Sequence, residues 1–405
     1  MVRRAGERPQ KVAWFELFYD LVAVAAIAQV GKVFLAEPTY ATTFLLLGSV
    51  VVLFTIWLLT TLVYGLVPSD PMWRKGLVLI QMVTIVVAAL AVGREGLPNW
   101  VGFTSIATGF ATMAIIYART RGAEPVVTQS LRRLVTFISL AVVMFLAAAA
   151  VSLFSTSEQA QVWVPVILLL TMAVILVPVV GPFMRELMGA RVIDFAHFQE
   201  RFGLLIIIVL GESFISLIGS LSRLGEIPSV GFFLLTFVVT FSIWSIYFLT
   251  VMPAGVPESL ANLRVWVLAH PVLIFSAVTV ATEFSDLARI DFTKPFVVEI
   301  VEWSPLPILL VLITILVMMA SQQRLGVLDA HMSKSDVADY AAIQTRLVSR
   351  RKQVLQTQTV AVVLVGLLLA ADYVRPEVGV PWYSVAAALV IAVDAIVLAL
   401  LGRVK

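Results

Sequence analysis

Phe54-Thr55-Ile56-Trp57 returns later in the chain as Phe241-Ser242-Ile243-Trp244, each time inside a long apolar run, and this echo decides the reading of the fold. Two further stretches recur in the same order. Phe15-Glu16-Leu17-Phe18 has a counterpart in Glu200-Arg201-Phe202, which keeps the acidic residue and the Phe two places on. The apolar segment carrying Gln81 returns as the one carrying His270. The halves differ mainly in loop length, so the pattern predicts a doubled membrane unit, with residues 1–190 and 191–405 as its two copies.

Apolar residues make up 60% of the 405 and charged residues 13%, against about half and about a quarter in soluble domains. Mean hydropathy is +1.01. This composition excludes a soluble globular domain. A span needs about 20 mostly apolar residues, and the runs that qualify lie near 13–35, 43–66, 76–93, 99–118, 133–154, 162–182, 202–221, 229–251, 264–283, 305–323, 354–371 and 381–401. The predicted fold class is an all-α polytopic membrane protein with about twelve transmembrane helices in two six-helix parallel repeats. An even helix number sends both copies into the membrane in the same direction, which places the pseudo-twofold axis along the membrane normal. The chain has no cysteine, so disulfides and thiolate chemistry are excluded.

Lys and Arg fall unevenly between the connections. With the N-terminus inside, the inner segments hold most of them, including Arg3, Arg4, Arg8, Lys11, Arg74, Lys75, Arg132, Arg133, Arg350, Arg351 and Lys352. The outer ones hold only Lys32, Arg94, Arg223, Arg289, Lys294 and Arg375. The positive-inside rule therefore predicts that both termini are cytoplasmic. The net charge of +3 and pI near 9.2 reflect that orientation and contact with anionic lipid, and no nucleic-acid partner is expected. A basic start and Ala26-Ile27-Ala28 imitate a cleaved signal peptide, but Glu16 and Asp20 sit inside its hydrophobic region, so 13–35 is read as an uncleaved first span. Two connections are long: 284–304 outside, acidic through Asp286, Asp291, Glu299 and Glu302, and 324–353 inside, where Ser335-Asp336 opens a helix-favouring stretch leading into the next span.

Charged residues within spans carry the functional signal, because one at the bilayer centre costs at least about 2.5–3.5 kcal/mol and needs a buried partner or a wet cavity. Glu16 and Asp20 are four apart and share a helix face. His197, Glu200 and Arg201 fall within one turn at the start of span seven, with Glu212 three turns deeper, near the midplane. Spans one and seven are therefore expected to face each other, with Arg201 within salt-bridge reach of Glu16 or Asp20. Glu200 with Arg201 is the other pairing the sequence allows. His270 precedes Pro271, a residue that frees a backbone carbonyl in a helix; it reads either as a pathway group or as a core histidine bonded to a carbonyl. Asp394 has no basic residue in its own span and reads as a helix-packing residue. Trp57 and Trp244 occupy matching positions inside their spans and either line a cavity or pack repeat against repeat. Trp14, Trp73, Trp100, Trp163, Trp303 and Trp382 fall near span ends, where an aromatic belt belongs. Gly211, Ser213, Ser216, Gly219 and Ser220 form a small-residue surface on span seven that permits close helix approach.

Trp14-Phe15-Glu16-Leu17-Phe18-Tyr19-Asp20-Leu21-Val22, His197-Phe198-Gln199-Glu200-Arg201-Phe202-Gly203-Leu204, Val209-Leu210-Gly211-Glu212-Ser213 and Ala269-His270 closely resemble the signatures of the low temperature requirement protein A (LtrA) family of bacterial membrane proteins. The resemblance covers nearly the whole chain and implies the bacterial cytoplasmic membrane as its location. It implies little mechanism, since the family is named for a cold-growth phenotype. A weaker resemblance is to TMEM175-type cation channels, also built from six-helix repeats, whose first helix carries a Phe-Ser-Asp motif before small apolar residues. Phe18-Tyr19-Asp20 followed by Leu21-Val22-Ala23-Val24 is similar to it, whereas Phe202-Gly203-Leu204 in the second repeat has no aspartate.

Two function classes follow. The first is movement of a small solute, a cation or protons along a polar pathway between the repeats, with Glu16, Asp20, His197, Glu200, Arg201, Glu212, His270, Trp57 and Trp244 as pathway or binding residues. The second is a membrane-embedded enzyme acting on a lipid-like or polyketide-like substrate through carboxylate and His acid-base chemistry. No Walker loop, Rossmann glycine pattern, His-Glu-x-x-His motif or Ser-His-Asp order occurs, and no cofactor or metal is expected. The expected partners are the lipid bilayer and a small solute, ion or lipid-like substrate, with a homo-oligomer left open.

Overall fold

A computed structural model describes residues 12–34, 39–67, 71–92, 97–120, 125–190, 192–221, 230–287, 305–322, 337–374 and 380–403. In hydrocarbon every backbone N–H and C=O must be satisfied within its own segment, so long apolar runs fold as helices. In chain order these are α1 (Trp14–Phe34), α2 (Tyr40–Leu66), α3 (Met72–Ala91), α4 (Asn99–Arg119), α5 (Pro125–Phe154), α6 (Ser157–Val180), α7 (Pro182–Gly189), α8 (Phe195–Leu221), α9 (Val230–Ile246), a π-helical turn (Tyr247–Val251), α10 (Met252–Ala254), α11 (Leu260–Leu287), α12 (Pro305–Ser321), α13 (Val337–Val374) and α14 (Val380–Arg403). No strand occurs among the described residues. The protein is a polytopic all-α membrane protein.

Among the described residues, 10 helices are long and apolar enough to cross a membrane, where the sequence suggested about twelve. The two expected runs outside that set fall on α8 and α12. α12 has 17 residues, about 25 Å at 1.5 Å per residue, which is short of a hydrocarbon core of about 30 Å. α8 carries the other run, 202–221, whose charged residue is Glu212, and part of that run lies outside the residues whose side chains are described. Asp291, Glu299 and Glu302 of the outer connection, Trp303, Ser335 and Asp336 lie outside the described residues. So do Arg3, Arg4, Arg8, Lys11, Arg94, Arg121, Arg191, Arg223, Arg289, Lys294, Arg324, Lys334, Arg375 and Lys405, as well as the side chains of Ser216, Gly219 and Ser220.

The chain divides into two compact units, Met1–Val209 and Leu210–Lys405, with the boundary inside α8. In the first unit residues 52–66 of α2 are all buried, so this helix forms the core around which its neighbours pack. α1, α4 and α6 each touch it. α1 shows the sidedness of a helix between core and lipid: Glu16, Tyr19, Asp20, Ala23 and Val24 are buried, while Phe18 and Leu21 are half exposed. Its polar groups thus point inward and its apolar ones outward. Between α6 and α7 the chain turns at Gly181-Pro182. A Cβ on Gly181 would meet the Val177 carbonyl oxygen at 2.6 Å, so only glycine fits, and Pro182 sits where a helix start needs no N–H.

In the second unit α9 and α13 flank α14, and α12 packs against α11 and α13. Pro253 lacks the N–H that an unbroken helix would need, and the preceding segment widens into the π-helical turn, with the Met252 N–H donating to the Tyr247 carbonyl. Gly255, at φ 76, then ends the helix. Gln322 Nε2 donates to the carbonyls of Val251 and Gly255, at 2.7 Å each, and so satisfies two groups that the broken helix leaves open. α13 is continuous from the polar stretch through Arg350-Arg351-Lys352 into the apolar run that follows.

Candidate functional site

The first unit buries an ionic cluster, and each of its members is placed by a local feature. Asp194 caps α8: its Oδ1 accepts the His197 N–H at 3.2 Å and its carbonyl accepts the Phe198 N–H at 2.9 Å. This start fixes the register that brings His197 and Arg201, four residues apart, onto one face. Glu16 lies in the first turn of α1, where its Oε1 accepts the Ala13 backbone N–H at 3.2 Å. Trp57 and Thr61 stand four residues apart on α2, so both reach the same spot.

Arg201 bridges both acidic residues of α1. Its Nη1 donates to Glu16 Oε2 at 2.9 Å and its Nη2 to Asp20 Oδ1 at 2.6 Å, and all three side chains are 0% exposed. Nη2 also lies 3.4 Å from Thr61 Oγ1. Asp20 Oδ1 accepts a second hydrogen bond from Trp57 Nε1 at 2.5 Å. His197 Nε2 sits 3.1 Å from Glu16 Oε2 and is equally buried. Aromatic rings wall the site: Phe202 contacts Trp57 edge-on at 5.0 Å and Phe198 at 4.8 Å, and the guanidinium lies 5.8 Å from the Trp57 ring centre. Asp20 Oδ2 and Arg201 Nε are buried with no hydrogen-bond partner among the described residues.

The charges do not balance by themselves. Two carboxylates face one guanidinium, so the ionised cluster carries one excess negative charge, and a single proton makes it neutral. One turn along the same helices lies an uncharged network. The Thr60 hydroxyl donates to the Ile56 carbonyl at 2.8 Å and lies 3.1 Å from Tyr19 Oη and 3.0 Å from Gln81 Oε1. The Tyr117 hydroxyl donates to the Leu59 carbonyl at 2.7 Å. Polar groups thus continue from the ionic cluster along α2, one helical turn after another.

The expected site residues divide between the two units. Glu16, Asp20, His197, Arg201 and Trp57 come together in the first. Glu200 does not join them: it is exposed, because adjacent residues on a helix do not face the same way, and Arg201 pairs with both residues of α1 instead. In the second unit Glu212 is half-buried and His270 is fully buried. His270 Nδ1 donates to the Trp266 carbonyl at 2.7 Å, which leaves Nε2 to meet the Tyr247 hydroxyl at 3.0 Å. The carbonyl used is that of Trp266, one residue before the Val267 carbonyl that Pro271 would free. Trp244 does not repeat the role of Trp57. It is 39% exposed and stacks on Phe241 and Phe248 at 5.6 and 5.4 Å, whereas Trp57 is buried and hydrogen-bonded to a carboxylate.

Tyr19, Thr60, Thr61 and Tyr247 were not among the residues singled out by sequence. Thr60 and Thr61 could have been found as hydroxyls one turn beyond Trp57 on an otherwise apolar helix. Tyr247 carries no such signal, since its role depends on the π-helical turn that aims it at His270.

Searches of curated proteins and of solved structures return no match. The family model described as bacterial low temperature requirement A protein (LtrA) matches residues 11–401, nearly the whole chain, and the chain therefore belongs to that family.

Proposed function

We propose that this integral membrane protein moves protons, or a small solute or cation coupled to them, across a bacterial cytoplasmic membrane with both termini inside, and that the Glu16, Asp20, His197 and Arg201 cluster is its titrating site. One observation carries the reading: a single guanidinium is shared by two fully buried carboxylates, with an imidazole 3.1 Å from one of them. A structural tie between helices needs one acid and one base. The second acid and the imidazole are surplus to that task and give the site a proton to bind and release. The Tyr19, Thr60 and Gln81 network supports the same reading, because it extends the polar groups beyond the charged ones. Acid-base catalysis on a lipid-like substrate fits less well, since Glu16, Asp20 and Arg201 are turned toward one another and not toward an open face.

The test is flux in proteoliposomes carrying a pH-sensitive dye. The wild-type protein relaxes an imposed pH gradient, and Glu16→Gln, which keeps shape but cannot titrate, removes that relaxation while the protein still inserts. Relaxation by Glu16→Gln at the wild-type rate overturns the reading. Absence of wild-type flux under gradients of either sign, with turnover of a lipid-soluble substrate instead, moves the assignment to an enzyme.

A further inference from the structure

α13 and α14 of the second unit meet through a polar contact that the proposed transport site does not use. Gln358 Nε2 donates to Asp394 Oδ2, and both side chains are buried, at 0% and 3% exposure. Asp394 Oδ1 and Gln358 Oε1 remain, and both are buried with no hydrogen-bond partner among the described residues. An ionised carboxylate offers acceptors only, and the amide oxygen adds another. Two orphan acceptors within one bonded pair are costly in a place where no water reaches them.

A proton on the carboxyl group resolves this. It turns one acceptor into a donor, and a carboxylic acid can complement a carboxamide twice: its O–H donates to Gln358 Oε1, while Gln358 Nε2 donates to its carbonyl oxygen. Among the described residues, the elements packed on this pair bring no charge beside it that would favour the ionised form. α9 and α12, which pack on α14, contain no charged residue. The π-helical turn contributes Tyr247, whose hydroxyl is engaged by His270. On α14 the other charged residue is Arg403, about 13 Å along the axis from Asp394. On α13 the nearest cations are Lys352 and Arg351, about 9 Å or more along the axis before Gln358, and Arg351 reaches instead to the Met319 carbonyl at 3.5 Å. Asp372 lies about 20 Å beyond Gln358 on the same axis.

We infer that Asp394 and Gln358 form a proton-binding site inside the membrane, in which Asp394 is held as the carboxylic acid by a paired hydrogen bond to the Gln358 amide. A hard metal cation is a poor occupant, since it takes about six or more oxygens. No group of three or more His, Asp or Glu side chains that could hold a metal occurs among the described residues. Releasing this proton requires the acid and the amide to part, so its exchange is tied to separation of α13 from α14. The inference stands independently of the ionic cluster on α1 and α8.

Infrared spectroscopy of the full-length protein in lipid at neutral pH tests it. The wild type shows the C=O stretching band of a hydrogen-bonded carboxylic acid that is absent in Asp394→Asn and moves to higher frequency in Gln358→Met. Asp394→Asn, whose amide can make the same two contacts, melts at or above the wild-type temperature, whereas Asp394→Leu melts below it. A wild-type spectrum with no carboxylic-acid band sensitive to either residue overturns the proposal, and so does an Asn variant as unstable as the Leu variant. Where Asp394→Asn does not insert, the band position in Gln358→Met decides alone: a shift supports the paired acid, and an unmoved band refutes it.

Discussion

Arg201→Leu strips the counter-charge from two buried carboxylates in one step. Removing one partner of a buried ion pair costs about 3–5 kcal/mol, because the other charge is stranded in a low-dielectric site. Here Glu16 and Asp20 both lose a direct contact, at 2.9 and 2.6 Å, and neither side chain has exposure through which water could compensate. The lower bound is therefore about 3 kcal/mol, or roughly a hundredfold in the ratio of folded to unfolded protein. Denaturant titration in mixed micelles, followed by tryptophan fluorescence, reads this directly. The triple variant Glu16→Gln, Asp20→Asn, Arg201→Leu removes the stranded charges together with the guanidinium and should recover more than half of the loss, a strong departure from additivity among residues in contact. Arg201→Lys should fall between, since an ammonium keeps the charge but not the fork that spans two carboxylates. An Arg201→Leu variant within about 0.5 kcal/mol of wild type, or a triple variant no more stable than the single one, would refute the reasoning.

The two echoed tryptophans should respond differently to the same change. Trp57→Phe removes the N–H that Asp20 accepts and should cost about 1.5–3 kcal/mol, as for a hydrogen bond to a charged group, whereas Trp244→Phe should stay within about 0.5 kcal/mol; equal losses in the same titration would show that the two matching sequences share an environment. Tyr247→Phe withdraws a hydroxyl from His270 Nε2 and should destabilise by about 1–3 kcal/mol, with wild-type stability showing that this bond contributes nothing.

The helical spans were legible because an apolar run of sufficient length has one stable form in lipid, whatever its neighbours. The link from Arg201 to α1 was legible for a related reason: a cation and two acids in nearly uncharged helices have few partners to choose from. Its detail was not. Two acids were engaged where one was expected, and Glu200 faces outward, because sequence shows which residues are close along a helix more readily than which way the helix is turned. The motif shared by Trp57 and Trp244 records common position in two stretches of chain, yet burial depends on which helices lie alongside, and no local pattern encodes that. Tyr247 and Gln358 were missed as the partners of His270 and Asp394 because uncharged polar residues are common at span ends and give no sign of their depth. α7 leaves no trace in the hydropathy pattern, because its eight residues are too few for such a signal.

The separation of Arg201 from its partners has a consequence for how the protein is made. Glu16 and Arg201 are 185 residues apart, so at about 5–20 residues per second the ribosome completes α1 some 10–40 s before the guanidinium exists. For that interval the first helix presents two acidic groups to the insertion machinery with no cation to meet them. Those acids lack their guanidinium partner until the start of α8 emerges. The arrival of one arginine then becomes the event that completes the surroundings of α1.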